Sequence, residues 1–223
     1  MPDLSRLLEN AEVLGKMNEG QKQHLAKMAV RRMMKAGETL YIQGDIWKNV
    51  LLIASGKLQA AIHSTDGRSY IIAPWESGEE FWPHCLFDDE PMPSTMEVAR
   101  DCVFYQWDGE DLLKILIENP TAIRALLSRQ VRLIRKRRDT IADLAFQPVT
   151  GRLAKLLLER IPEEETSALR DLTLDQIASM VATSPEVVCR TLYSLQRTGL
   201  LKVTRASITL NDRAGLERLV GKD

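Results

Sequence analysis

The sequence predicts an α+β fold: an N-terminal β-barrel or sandwich, a long connecting helix, and a C-terminal helix-turn-helix followed by a two-stranded wing. Three observations predict it. Glycines at Gly37, Gly44, Gly56, Gly67 and Gly78, spaced 7, 12, 11 and 11 residues apart, punctuate short apolar runs. The stretch "TAIRALLSRQVRLIRKRRDTIADLAF" (121–146) contains neither glycine nor proline. Beyond it, "LTLDQIASMVA" and "SPEVVCRTLYSL" read as two short helices joined by about three small residues.

Each element follows from its residues. Residues 4–34 carry a helical, amphipathic pattern. "TLYI", "VLLIA", "KLQAAIH" and "SYIIA" read as short strands, and the Asp-Gly of "STDGRS" (64–69) marks a hairpin turn. Strands at this spacing indicate a sandwich or barrel. "CVFYQW" (102–107) supplies a last strand and "DGEDLLKILIENP" a helix that stops near Pro120. In 121–146, Leu127, Ile134 and Ile141 fall seven apart, with Ile123 and Leu144 on the neighbouring seam and Gln130 and Arg137 interrupting it. That heptad-like stripe predicts a dimerisation helix. Packing of the helix on its own barrel is the competing reading for part of its length. The organisation expected is a barrel domain over 1–118, the dimerisation helix over 119–146 and a helix-turn-helix domain over 147–223.

In the second short helix, Ser184 is the expected N-cap and Pro185 the first helical residue, where no N–H is needed. Val188, Leu192 and Leu195 mark its buried side, while Glu186 and Arg190, at i and i+4, share a face. On an isolated helix that pair would be a surface ion pair. Here a helix precedes it, with Thr173 as cap and Ile177 and Val181 as its apolar face. In a helix-turn-helix the second helix enters the DNA major groove. Arginine can be bidentate to guanine O6 and N7, and glutamate can accept from cytosine N4. Thr183 and Ser184, at the helix N-terminus, are expected on phosphate.

The 223 residues, 44% hydrophobic, suffice for two modest cores. A formal charge of -1 and a pI near 6.4 neither announce nor exclude nucleic acid, because local distribution matters more than the sum. The longest apolar runs are too short to span a membrane, and "MPDLSRLLEN" lacks the apolar core of a signal peptide; a cytoplasmic protein is expected. Cys85, Cys102 and Cys189 form no C-x-x-C pair, which argues against a zinc ribbon or a disulfide framework. No catalytic triad, P-loop or metal-spaced cluster suggests an enzyme. A sensor that does not bind DNA, or an enzyme on the barrel, is the second function class.

In this order, barrel, long helix, helix-turn-helix and the wing "LLKVTRASITLND", the chain resembles the CRP/FNR superfamily of bacterial transcription regulators. The resemblance covers nearly the whole chain. It is carried by "DLAFQPVTGRLAKLLL" (143–158), by "LTLDQIASMVATSPEVVCRTLYSLQRTGLL", and by the glycine-punctuated "KAGETLYIQGD" and "LLIASGKLQ". It implies a cyclic-nucleotide-binding-like jelly-roll barrel, a winged helix-turn-helix, a homodimer on palindromic double-stranded DNA, and RNA polymerase as a partner. The family's recognition helix often carries E-x-x-S-R; here Glu186 and Arg190 match and Cys189 replaces the serine. Pro185 stands where the cyclic-AMP-responsive branch has another base-reading arginine, which favours TTGA-like half-sites.

The same resemblance implies where an effector would bind. The family's nucleotide pocket uses Gly-Glu for the ribose and Arg-Ser for the phosphate. Here Trp82-Pro83 and Pro93-Ser94 occupy those positions, and Arg137-Arg138 replace the base-contacting Thr-Ser pair of the long helix. Only Ser94 survives. Tryptophan and proline crowd the site and remove an N–H, so cyclic AMP is disfavoured. His84 lies near the haem histidine of the family's carbon-monoxide-sensing branch, which makes haem a minority reading, set against Trp82 at the cysteine-ligand position. Residues 121–138 carry seven Lys or Arg and no acid, and 76–90 carry six acids and no Lys or Arg. This contrast predicts either mutual ion pairing or an anionic effector held by Arg137 or Arg138. Constitutive DNA binding without an effector is a third expectation.

Overall fold

The computed structural model describes residues 3–64, 69–169, 172–204 and 206–221. Residues 65–68 of the hairpin turn and Arg205 of the wing lie outside the described residues. By its contacts the chain divides into two compact units, Met1–Ile62 with Ile71–Ile134 and His63–Tyr70 with Arg135–Asp223.

In the first unit, the amphipathic N-terminal stretch is not one helix. It forms α1 (Leu4–Asn10), a 3-10 turn (Leu14–Lys16) and α2 (Glu19–Met28), and then becomes extended as β1 (Val30–Met34). A reciprocal cap restarts the helix at Asn18, whose side chain accepts from Gln21 N at 2.9 Å while Gln21 Oε1 accepts from Asn18 N at 3.1 Å. The strands that follow are β2 (Thr39–Tyr41), β3 (Asn49–His63), β4 (Ser69–Glu76), β5 (Glu80–Phe81) and β6 (Thr95–Asp108), with the short α3 (Cys85–Asp88) before β6. They form one sheet in the order β1-β6-β3-β4, with β2 also on β6 and β5 on β3.

"VLLIA" and "KLQAAIH" are a single strand. What divides them is Gly56, at φ +90°, where a Cβ would meet Asp101 O at 2.1 Å, and where the register between β3 and β6 shifts. The unbroken apolar run in β3 arises because both of its faces are covered. Val50 and Leu52 pack with the N-terminal helices, Trp107, Leu112 and Leu126. Leu51 and Ile53 pack with Tyr41, Phe81, Cys85, Met96 and Phe104. Alternation is lost when neither face meets water.

After β6 come α4 (Gly109–Ile117) and the long α5 (Pro120–Phe146). Ala122 and Leu126 of α5 are buried in the first of these clusters. The second unit holds α6 (Val149–Arg160), β7 (Ser167–Leu169), α7 (Leu174–Met180), α8 (Pro185–Arg197), β8 (Leu201–Val203), β9 (Ser207–Leu210) and α9 (Arg213–Leu219). Its sheet has three strands, β7-β9-β8, so β7 joins the predicted pair; at three residues it is too short to show alternation. Leu153, Leu157, Ile177, Val188, Leu192, Leu195 and Leu216 form the core of this unit.

Candidate nucleic-acid interface

α7 begins at Thr173, whose hydroxyl accepts from Gln176 N at 3.2 Å while Gln176 Oε1 accepts from Thr173 N at 2.9 Å. The helix ends at Val181. Ala182 then takes a positive φ of 51°, and Thr183 N–H returns to Ala178 O at 3.0 Å. Ser184 is extended at the N-cap position and Pro185 is the first residue of α8, but the Ser184 side chain makes no capping bond. Its hydroxyl donates instead to the Glu186 carboxylate, which together with the Glu186 backbone N–H holds that carboxyl below its ordinary pKa.

Val188, Thr191, Leu192 and Leu195 are buried along one side of α8, and the Thr191 hydroxyl donates to Val187 O at 2.7 Å. Glu186, Cys189 and Arg190 are exposed on the other side. No ion pair joins Glu186 to Arg190 among the described residues; the Glu186 carboxylate leans on Ser184, and the exposed Arg190 guanidinium is not held by it. Tyr193, 68% exposed and three residues beyond Arg190, extends that face. Sequence reading missed it, although it stands off the 188/192/195 seam.

In the first unit, Trp82 is buried and its indole N–H donates to Glu80 Oε2 at 2.7 Å. The Glu80 carboxylate, 2% exposed, also accepts from Val13 N at 2.9 Å and Leu14 N at 3.0 Å. Pro83 is buried and His84 half-buried at the N-terminal end of α3, and the Cys85 thiol donates to Trp47 O at 2.7 Å. Ser94 is buried and Pro93 exposed. Among the described residues no group of three or more His, Cys, Asp or Glu is arranged to hold a metal ion.

The basic helix and the acidic segment meet at Arg129, which donates to Glu80 O at 2.6 Å and pairs with Glu12. Arg132 also pairs with Glu12. Other acids of the segment are paired elsewhere, Glu76 with Lys57 at 2.9 Å and Asp89 with Lys48 at 2.6 Å. Arg137 and Arg138 are exposed on the part of α5 that groups with the second unit, and Arg138 pairs with its neighbour Asp139. On the same helix Leu127, Ile134 and Ile141 are all more than half exposed, and Val131, between Leu127 and Ile134, is a little under half exposed. No helix is long and apolar enough to cross a membrane among the described residues.

Two family models match the chain, a cyclic nucleotide-binding domain over residues 31–119 and a Crp-like helix-turn-helix domain over residues 151–219. Among similar proteins, a CRP-like cAMP-activated global transcriptional regulator of Mycobacterium tuberculosis is 28% identical over 188 residues, covering 82% of this chain and 84% of that protein. A cyclic AMP receptor protein of Thermus thermophilus is 24% identical over 189 residues, covering 85% of this chain and 87% of that one. Among solved structures, a regulator of the crp/fnr family from Eubacterium rectale superposes with TM-score 0.79 at 21% identity, over 96% of this chain and 100% of that one. A CooA mutant from Carboxydothermus hydrogenoformans superposes with TM-score 0.77 at 19% identity, over 97% and 99%.

Proposed function

We propose that this chain, which belongs to the CRP/FNR superfamily of transcription regulators, binds a palindromic promoter site as a homodimer and answers to an effector other than cyclic AMP. One observation carries the reading: α8 turns Glu186 and Arg190 outward, one helical turn apart, with no ion pair between them and a packed face behind them. That arrangement suits base edges of the major groove, with Thr183 and Ser184 on phosphate and TTGA-like half-sites favoured. The exposed apolar stripe Leu127, Ile134 and Ile141 supports a homodimer, because a helix face of that kind in water invites a matching copy. RNA polymerase is the further partner proposed.

Of the relatives named above one is cAMP-activated and another is a cyclic AMP receptor protein, whereas the residues of this chain argue for a different effector. Trp82 fills core space with its indole committed to Glu80, and Pro83 and Pro93 bring no N–H to a phosphate or ribose. The effector proposed is anionic and held by the exposed guanidinium groups of Arg137 or Arg138, which suit carboxylate or phosphate. Binding to a palindromic duplex and to a scrambled one, each with and without millimolar cyclic AMP, tests the reading. A preference for the palindrome that cyclic AMP leaves unchanged is expected. Equal affinity for both duplexes, or tightening by cyclic AMP, would overturn the corresponding half.

A further inference from the structure

We propose that Arg152 is a positioning residue that fixes the angle at which α8 is presented to DNA, by tying the helix-turn-helix turn to the end of α5. The inference rests on the DNA-reading role proposed for Glu186 and Arg190. The Arg152 guanidinium spans two places in the second unit. Its Nε–H donates to Val181 O at 2.9 Å and its Nη2 to Ala182 O at 3.3 Å, while its Nη1 donates to Gln147 O at 2.8 Å. Val181 and Ala182 close α7, where the last carbonyls of a helix have no partner within it and a cation suits the helix dipole. Gln147 lies, with Pro148, in the link between α5 and α6.

The turn needs support from outside itself. Ala182 is a residue with a Cβ at φ 51°, a conformation seldom held by such residues. The backbone from Val181 to Ser184 sets the direction in which α8 leaves, so whatever holds these carbonyls also aims Glu186 and Arg190. The other end of the clamp is seated firmly. Gln147 Nε2 donates to Val220 O at 2.6 Å, and Gln147 N–H to Asp143 O at 2.9 Å. Lys155 pairs with Asp143 across the same corner. Contact is so close that a Cβ on Gly151 would meet Gln147 Oε1 at 2.5 Å and Leu219 O at 2.7 Å. The last turn of α5, the start of α6 and the turn before α8 therefore move as one piece, and a motion delivered to residues 143–147 reaches the recognition helix through the guanidinium.

Arginine suits this task because its planar fork reaches three carbonyls in different directions; a lysine ammonium keeps the charge and loses the fork. If Arg152 only capped the carbonyls, its loss would lower stability and weaken all DNA binding in proportion. As a positioning residue it governs specific binding above all.

The full-length Arg152→Lys variant separates the two. Its affinity is measured on the inverted repeat that the wild-type chain selects from a randomised duplex pool, and on a scrambled duplex. Amide hydrogen exchange of residues 183–188 and the melting temperature are recorded alongside. The expected result is a loss of about 10- to 100-fold in affinity for the selected repeat, the scale of a misaligned bidentate base contact. Affinity for the scrambled duplex should stay within about twofold, and exchange should quicken in 183–188 ahead of the rest of α8. Unchanged affinity for the repeat, or equal losses on both duplexes that track a fall in melting temperature, would overturn the proposal. Should the wild type prefer no duplex, it is the DNA-reading role that fails, and exchange then decides the clamp: selective quickening in 183–188 upholds it, and none refutes it. If Arg152→Lys does not fold, Gln147→Ala, which keeps the backbone carbonyl but loosens its seat at Val220 O, must produce the same specific loss.

Discussion

Replacing Arg190 by alanine isolates the base-reading contact proposed for it. In the free protein Arg190 is exposed and joins no ion pair among the described residues, so its truncation removes little that holds the fold. Folding stability should change by no more than about 0.5 kcal/mol, as for surface substitutions generally. On DNA, one bidentate guanine contact contributes about 1–3 kcal/mol of discrimination. The proposed homodimer loses it in both half-sites, so the combined loss is about 2–6 kcal/mol, or roughly thirty-fold to twenty-thousand-fold in affinity. The loss is bounded by the gap between specific and non-specific binding, and the non-specific floor itself should barely move because phosphates supply it. Fluorescence anisotropy at one fixed salt concentration, with each base of the half-site varied in turn, reads both quantities. Preference should vanish at one guanine position and persist elsewhere, whereas Glu186→Ala should relax a neighbouring position. If Arg190→Ala kept the full preference at every position, α8 would not be the reading helix.

Three further outcomes follow from other parts of the structure. Ile134 is 65% exposed, so Ile134→Glu should leave the fold intact while placing a charge in the proposed seam; light scattering should then give the mass of one 25.2 kDa chain, against twice that for the wild type. Glu80→Ala strips the acceptor from two backbone N–H groups and the Trp82 indole in a buried site, and should cost about 3 kcal/mol or more in chemical denaturation, since each orphaned donor costs about 1–3 kcal/mol. Burial pushes the Cys102 thiol from 9.0 up to about 11, so the folded chain keeps that proton longer than the unfolded one. Its contribution is complete below pH 9 and should fall by up to about 1.4 kcal/mol per pH unit as pH rises towards 11. A wild-type minus Cys102→Ala difference that stays flat between pH 9 and 11 would refute this.

The C-terminal half was the more legible from sequence. Thr173, Pro185 and the spacing of Val188, Leu192 and Leu195 are local signals, and they place α7 and α8 without reference to the rest of the chain. The N-terminal half depends on contacts distant in sequence. Gly56 looks like a strand boundary and is a close approach of β3 to Asp101 on β6. The helical pattern of 4–34 runs on into β1, because strand pairing with residues 102–106 overrides local propensity at Val30–Met34. Within the interface, the exposed placement of Tyr193 was readable from the same spacing as Arg190. The Arg152 clamp was not, since its three acceptors are backbone carbonyls, and any sequence supplies those. Glu80 gave no signal either: among six acids it looks like surface charge, and only the fold reveals it beneath the N-terminal helices.

The central claim, a symmetric dimer reading DNA through Glu186 and Arg190, meets its most direct test in selection by the wild-type chain from a pool of randomised duplexes. The sequences recovered should converge on an inverted repeat whose half-sites lie about one helical turn apart, roughly 34–36 Å between centres, as two symmetry-related recognition helices require. Half-sites of TTGA type should dominate. Recovery of no preferred sequence, or of a single site without two-fold symmetry, would contradict the account.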